Sequence, residues 1–268
     1  MKDFLKQILR EEQNKTRGRS KIREYLQARI LEVLQNNNYF NNWVFVGGTA
    51  LRFLFSIPRF SEDLDFSLLK PGMDADFSKA LKKIEKCFEH EGYEIRLKAK
   101  ETKIVQSAFI QFRGLLYELD YSPHHDEAVS IKIEIDTNPP LGATSTFSIV
   151  RKYVTLNLHH HDKASLFAGK LHALLTRKYT KGRDVYDLFW YLTDRHWPAP
   201  NCEFLQNALK QTGWNRDPVT DQNWKTIISH KLKQLNWNTV INDVKPFLEK
   251  SEELNFLTPE NFEKMITL

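Results

Sequence analysis

Asp63 and Asp65 flank Leu64. In an extended strand, residues two apart project from one face, so the two carboxylates stand together while Leu64 and Phe66 enter a core. Adjacent carboxylates repel unless something positive lies between them. A divalent metal is the natural occupant, and Mg²⁺ favours carboxylates combined with phosphate oxygens. Upstream, the apolar run Val44-Phe45-Val46 stops at Gly47-Gly48-Thr49. The glycines allow a sharp turn and close approach of the backbone to a ligand. Ala50–Phe55 has helical character, which puts the glycines at a helix N-terminus, where backbone N–H groups and the helix dipole favour a phosphate. Thr49 adds a hydroxyl there, and Pro58 closes the helix. A phosphate cradle followed by a metal-binding carboxylate pair is the layout needed to handle a nucleoside triphosphate.

Three further groups have the right chemistry. Ile131-Lys132-Ile133-Glu134-Ile135-Asp136 alternates strictly, with the isoleucines on one face and Lys132, Glu134 and Asp136 on the other. An ordinary half-exposed strand has this pattern. A two-metal site, however, needs a third carboxylate on a neighbouring strand, and Glu134 or Asp136 would supply it. Lys170 falls inside a helical apolar stripe between Leu166 and Leu174. It either snorkels past the edge of a core or neutralises triphosphate charge at a cleft. Asp184 and Asp187 share the helix face opposite Val185, Leu188, Phe189 and Leu192. They read either as dipole-favoured acids near a helix start, with Arg183 and Asp187 as an i,i+4 pair, or as site carboxylates.

The elements that must position these groups can be read along the chain. Residues 1–19 are polar, consistent with a short helix and a mobile Arg/Gly/Ser stretch. From Ser20, Ile22, Leu26, Ile30 and Val33 recur at helical spacing up to Asn36-Asn37-Asn38. A strand is expected at 43–46 and another from Asp65 to Leu69. Phe77, Leu81, Ile84 and Phe88 mark a helix ended by Gly92. β-rich runs follow over Tyr93–Lys100, Ser107–Phe112 with Leu115–Leu119, and Ala128–Asp136, and Phe147–Leu158 holds one or two more strands. From Asp162, a suitable N-cap, the chain is helical almost to its end, interrupted at Pro198 and Pro200. The fold class is α/β (α+β): a mixed β-sheet with flanking helices over residues 1–158, followed by a helical C-terminal domain over 159–268.

The segment Gly47-Gly48-Thr49-Ala50-Leu51 with Arg59-Phe60-Ser61-Glu62-Asp63-Leu64-Asp65-Phe66 resembles the minimal nucleotidyltransferase signature, a GG[ST] turn followed by DxD. More narrowly, it is similar to the AbiEii/AbiGii-type toxin branch, whose pattern is GG[ST]AL…R.SEDLDF. The resemblance implies a nucleotidyltransferase-like sheet. It adds Arg59 and Ser61 to Gly47, Gly48, Thr49 and Lys170 as nucleotide-binding residues. It also favours Glu134, with Asp136 as the alternative, as the third acid beside the metal ligands Asp63 and Asp65. Lys170, in a K-L-x-A-L pattern, is implied as a functional lysine. The motif RDxxDL, with Asp184 and Asp187, is implied to supply a carboxylate to the cleft.

The implied activity is Mg²⁺-dependent transfer of a nucleotide from an NTP to an acceptor hydroxyl. RNA such as tRNA is the expected acceptor, within a toxin–antitoxin or phage-defence pair that includes a cognate antitoxin. A small-molecule nucleotidyltransferase acting on an antibiotic hydroxyl would carry the same signature. A non-catalytic nucleotide- or RNA-binding module would not need the acids, and a metal-dependent nuclease would leave the glycine cradle without a role.

Composition fits these readings. At 268 residues the chain can bury a substantial core, and 41% hydrophobic with 27% charged residues is ordinary for a water-soluble protein. No apolar run approaches the ~20 residues needed to span a bilayer, and the N-terminus has no signal-peptide core, so a cytoplasmic protein without membrane partners is expected. Cys87 and Cys202 are the only cysteines and are expected to be reduced. A net charge of +5 permits attraction to nucleic acid, with basic clusters at Lys15–Lys21 and Arg177–Arg183. Adjacent His159, His160 and His161 point alternately in a strand and are not expected to hold one zinc ion. Trp214, Trp224 and Trp237 read as core residues, with base stacking left open.

Overall fold

The computed structural model describes residues 2–194 and 196–267. It divides into two compact units. Unit 1 comprises residues 1–55, 60–139 and 147–160; unit 2 comprises 56–59, 140–146 and 161–268.

Unit 1 is built on a mixed sheet. Its strands are β1 (Trp43–Val46), β2 (Leu64–Leu68), β3 (Glu94–Lys100), β4 (Val105–Arg113), β5 (Val129–Asp136), β6 (Ser145–Lys152) and β7 (Val154–His161), in the spatial order β3-β4-β5-β2-β1-β7-β6. β1 runs antiparallel to β2 and parallel to β7, β2 runs parallel to β5, and β3-β4-β5 is antiparallel throughout. The helices of this unit are α1 (Lys2–Leu9), α2 (Lys15–Asn36), α3 (Gly47–Phe55), α4 (Phe77–His90) and α5 (Leu115–Glu118). Ile22, Leu26, Ile30 and Val33 of α2 are buried, as their spacing predicts. The isoleucines of β5 are fully buried while its polar residues alternate at the half-exposed face.

Two local expectations are corrected. Residues 15–19 are not a mobile stretch, because α2 begins at Lys15, with the Asn14 side chain accepting the Arg17 N–H at 3.1 Å. Gly18 is helical because it packs under Tyr121, whose ring a Cβ at this position would overlap. Leu115–Leu119 is not a strand. Gly114, at φ +67°, turns the chain out of β4 into the single helical turn α5. Leu115, Leu116 and Leu119 are buried while Tyr117 is exposed, which is helical spacing rather than alternation.

Unit 2 is helical: α6 (Lys163–Thr176), α7 (Gly182–Thr193), α8 (Cys202–Gln211), α9 (Trp224–Lys233), α10 (Trp237–Val244) and α11 (Pro259–Thr267). Asp162 caps α6 by accepting the Ser165 N–H at 2.8 Å. α7 and α10 approach so closely at Gly182 that a Cβ would strike the Val240 carbonyl. Phe167, Tyr191 and Trp224 form an aromatic core, with Phe167 and Tyr191 stacked at 4.4 Å. No helix among the described residues is long and apolar enough to cross a membrane.

Candidate active site

In unit 1, β1 runs into α3 without a loop. The reversal occurs at Gly47, whose φ of +80° lies in the left-handed region. Only glycine adopts this without cost, and here it has a second effect. β2 pairs with β1 so that Asp65 lies opposite Val46, and a Cβ on Gly47 would overlap the Asp65 carboxylate. The absent side chain is what lets Asp65 approach the N-terminus of α3. The first N–H groups of a helix have no acceptor within the helix, so this is a place where anionic groups gather.

The acidic loop is tied down from two sides. Thr49 is fully buried, and its hydroxyl donates to the Asp63 carbonyl. That hydroxyl therefore faces inward and holds the backbone of Asp63, rather than standing open at the helix end. Gln27 of α2, also buried, donates to the carbonyls of Ser61 at 3.2 Å and Glu62 at 2.9 Å. Asp63 ends this loop and Asp65 is the second residue of β2; both are half-buried.

The third acid is placed by register. In the parallel β2–β5 pair, Asp65 lies beside Glu134, whereas Asp136 lies two residues further on, beside Ser67. Glu134 is half-exposed and pairs with Lys132 of its own strand face at 2.7 Å. Asp136 accepts the Asn138 N–H at 2.9 Å; burial pushes its carboxyl above the usual value, and that hydrogen bond only partly offsets the rise. Asp63, Asp65 and Glu134 thus occupy adjoining backbone positions. Among the described residues, no three carboxylate, imidazole or thiol groups are already gathered into a metal-sized cluster.

One group near α3 carries no signature. Glu24 of α2 is buried and accepts from Arg52 of α3 at 2.5 Å, Lys152 at 2.9 Å and the Tyr153 hydroxyl at 2.9 Å. Burial alone would raise its carboxyl, but Lys152 and Arg52 outweigh this and hold it below the usual range. Arg52 also lies over the Phe60 ring at 4.9 Å. This ion cluster fixes the outer part of α3 against α2. The signal available in the sequence was a glutamate at a core-facing helical position.

Unit 2 gathers a different set. Asp187 of α7 has no exposed side-chain surface and is held by Arg59, with two contacts of 2.6 Å, and by Lys170 of α6 at 2.7 Å. Asp184, one turn earlier, is paired with Lys170 at 3.4 Å and with Arg177. Burial would raise the Asp187 carboxyl, but the Arg59 guanidinium and the Lys170 ammonium outweigh it and hold the group below the usual carboxylate range. Lys170 therefore does not snorkel into water: its ammonium bridges two buried aspartates. The face opposite Val185 and Leu188 is buried too. Asp187 is held by Arg59, 128 residues away, and Arg183 lies over the Phe247 ring at 4.1 Å.

The histidine run disperses. The His159 Nδ1 bonds the Phe40 carbonyl at 2.9 Å, His160 bonds the Ser148 hydroxyl at 2.9 Å, and His161 meets Phe204 edge-on. Of the sequence-predicted residues, Gly47, Gly48, Thr49, Ser61, Asp63, Asp65, Glu134 and Asp136 lie in unit 1. Arg59, Lys170, Asp184 and Asp187 lie in unit 2.

The family model described as the nucleotidyl transferase AbiEii toxin of type IV toxin–antitoxin systems matches residues 29–266. The chain belongs to the AbiEii family. It is accordingly a nucleotidyltransferase of a toxin–antitoxin family. Two solved structures share the AbiEii chain's fold at 17% sequence identity. One is an H. pylori protein described as a candidate nucleotidyltransferase, with a TM-score of 0.56, covering 92% of this chain and 95% of that one. The other is JHP933 from Helicobacter pylori, with a TM-score of 0.53, covering 92% of each chain. No curated protein matches the chain.

Proposed function

We propose that this AbiEii-family enzyme transfers a nucleotide from an NTP to a hydroxyl of RNA, with Mg²⁺ bound by Asp63, Asp65 and Glu134. The observation that carries the reading is the left-handed Gly47, whose missing Cβ lets the Asp65 carboxylate lie against the start of α3 while β2 pairing sets Glu134 beside it. The donor set fits the metal: three oxygen ligands, half-exposed, at one end of a sheet, with a helix N-terminus adjoining for phosphate. When bound, the cation would offset phosphate charge and lower the pKa of an attacking hydroxyl.

The chain's own residues do the rest. The Gly47-Gly48 turn presents helix N–H groups to the triphosphate. Thr49 and Gln27 hold the loop that carries Asp63, and Lys132 keeps Glu134 compensated. The acceptor hydroxyl gives its proton to water as its oxygen forms a bond to the α-phosphorus; the bond from that phosphorus to the oxygen bridging to the β-phosphate breaks, and pyrophosphate leaves with that electron pair. The family's toxin–antitoxin setting makes an antitoxin the expected partner. The net charge of +5 is compatible with a polyanionic acceptor.

The test is incubation of the protein with each α-labelled NTP, Mg²⁺ and total RNA. Label should enter RNA and release one pyrophosphate per transfer. Label entering only small molecules would replace RNA with a small-molecule acceptor.

A further inference from the structure

Unit 2 contains a pocket of about 250 Å³. Trp214 forms one wall, and its ring is fixed in orientation because the indole N–H donates to the Asp217 carbonyl at 3.1 Å. The Arg216 guanidinium lies 5.3 Å from the indole centroid. His230, Lys231 and Gln234, from the C-terminal end of α9, line the other side. The α9 end gathers cations because the carbonyl end of a helix favours them. The charged side chains of the lining are thus Arg216 and Lys231 against Asp217.

From this we infer that the pocket binds one nucleotide of a single-stranded RNA; the inference rests on the proposed transfer to RNA. Each feature matches a part of that ligand. The anchored indole with the Arg216 guanidinium over its ring forms a flat stack against which a base can lie, and such stacking tolerates any sequence. A guanidinium and an ammonium meet the phosphodiester. Gln234 offers both a donor and an acceptor for a base edge. The volume falls at the small end of ligand pockets, which suits one residue of a polymer better than a large free ligand.

The surface also continues beyond the pocket. Leu175 at the end of α6 lines it, and within a few residues the chain runs into Arg177-Lys178-Tyr179-Thr180-Lys181. There Tyr179 is 77% exposed, with the Lys178 ammonium 5.5 Å from its ring centroid. An exposed aromatic beside lysines, next along the chain from the pocket, supplies a second stacking face and further phosphate contacts for a neighbouring nucleotide.

The test measures binding of a fluorescein-labelled single-stranded oligoribonucleotide to the full chain by anisotropy across a salt series, with α-labelled NTP binding and transfer to RNA measured in parallel. Arg216→Gln combined with Lys231→Gln should weaken RNA binding about tenfold or more and flatten the salt slope by roughly 1.4, at about 0.7 per lost phosphate contact. Trp214→Ala should weaken it about five- to a hundredfold by loss of stacking, and Trp214→Phe should restore most of it. Thermal stability and NTP binding should stay at wild-type values in the charge variant. That variant also keeps the test decisive if Trp214→Ala unfolds. If the wild type transfers nucleotide to RNA but the charge variant keeps its affinity and salt slope, the pocket is overturned and the proposed function stands. If the wild type binds no RNA and labels another acceptor, both fall.

Discussion

The three candidate-site acids of unit 1 and the aspartate pair of unit 2 are handled in opposite ways. Asp63, Asp65 and Glu134 are half-exposed on adjoining backbone positions, against a helix N-terminus and with Lys132 as the neighbour of Glu134. Asp184 and Asp187 are buried among Arg59, Lys170 and Arg177. Water lowers the cost of an ionised carboxylate, whereas the interior does not, so a buried acid has to bring its cations with it. A surface set can exchange its counterion, as a metal–nucleotide site requires. A buried set is locked, with Arg59 and Lys170 held on Asp187.

The largest effect should come from breaking the exchangeable set. Asp63→Ala or Asp65→Ala removes a ligand whose metal would supply several kcal/mol to the transition state, so transfer should fall about 10³-fold. A melting-temperature measurement on each variant separates this loss from unfolding. Wild-type turnover by either variant would erase the functional half of the comparison.

Next in size is the locked set. Arg59→Leu leaves Asp187 buried with one of its two partners gone and should cost about 3–5 kcal/mol in a denaturant titration. Lys170→Met should also destabilise, by about 1–3 kcal/mol, because a charge-assisted contact is lost while Arg59 remains. A Met variant as stable as the parent would return Lys170 to the role of a snorkelling side chain.

A smaller effect follows from acid. The Asp187 carboxyl is held below its ordinary 3.8 by Arg59 and Lys170, against the upward push of burial. A depressed folded-state pKa gives stability that is fully present above the unfolded value and is lost as pH falls through the folded one. Stability should therefore decline below about pH 4, and Asp187→Asn should lose that part of the decline. Denaturant midpoints across the acid range for both proteins check this.

The smallest contrast lies within β5. Glu134→Gln should abolish most transfer, whereas Asp136→Asn, two residues along and beside Ser67, should leave most of it. Rate measurements with the reverse ranking would move the third acid one pleat along.

Much of unit 1 could be read from the chain because its signals are local. The glycine turn, the DxD spacing and the Ile131–Ile135 alternation each declare themselves within a few residues. The exceptions were also local. Leu115, Leu116, Tyr117 and Leu119 form a run compatible with either period, and it takes the left-handed Gly114 to select a helix. Unit 2 was harder to read for a different reason. Asp187 and Arg59 are 128 residues apart, and neither residue's neighbourhood names the other. A lysine in an apolar stripe carries the same pattern whether it snorkels or bridges two buried acids, and only the packing of α6 on α7 separates the two. Gln27 and Glu24 were hidden for the same reason, as polar residues on a core-facing helix whose partners lie in distant loops and strands.

The account stands most directly on whether the half-exposed acids of unit 1 hold a metal–nucleotide complex. The decisive measurement is the shift in melting temperature caused by Mg²⁺ plus a non-hydrolysable NTP, for the wild type and for Asp63→Asn/Asp65→Asn. At about a hundred times Kd a ligand adds about 2.7 kcal/mol, so the wild type should gain roughly 5–10 °C. The double variant should gain almost nothing. An undiminished shift in the double variant would contradict the claim.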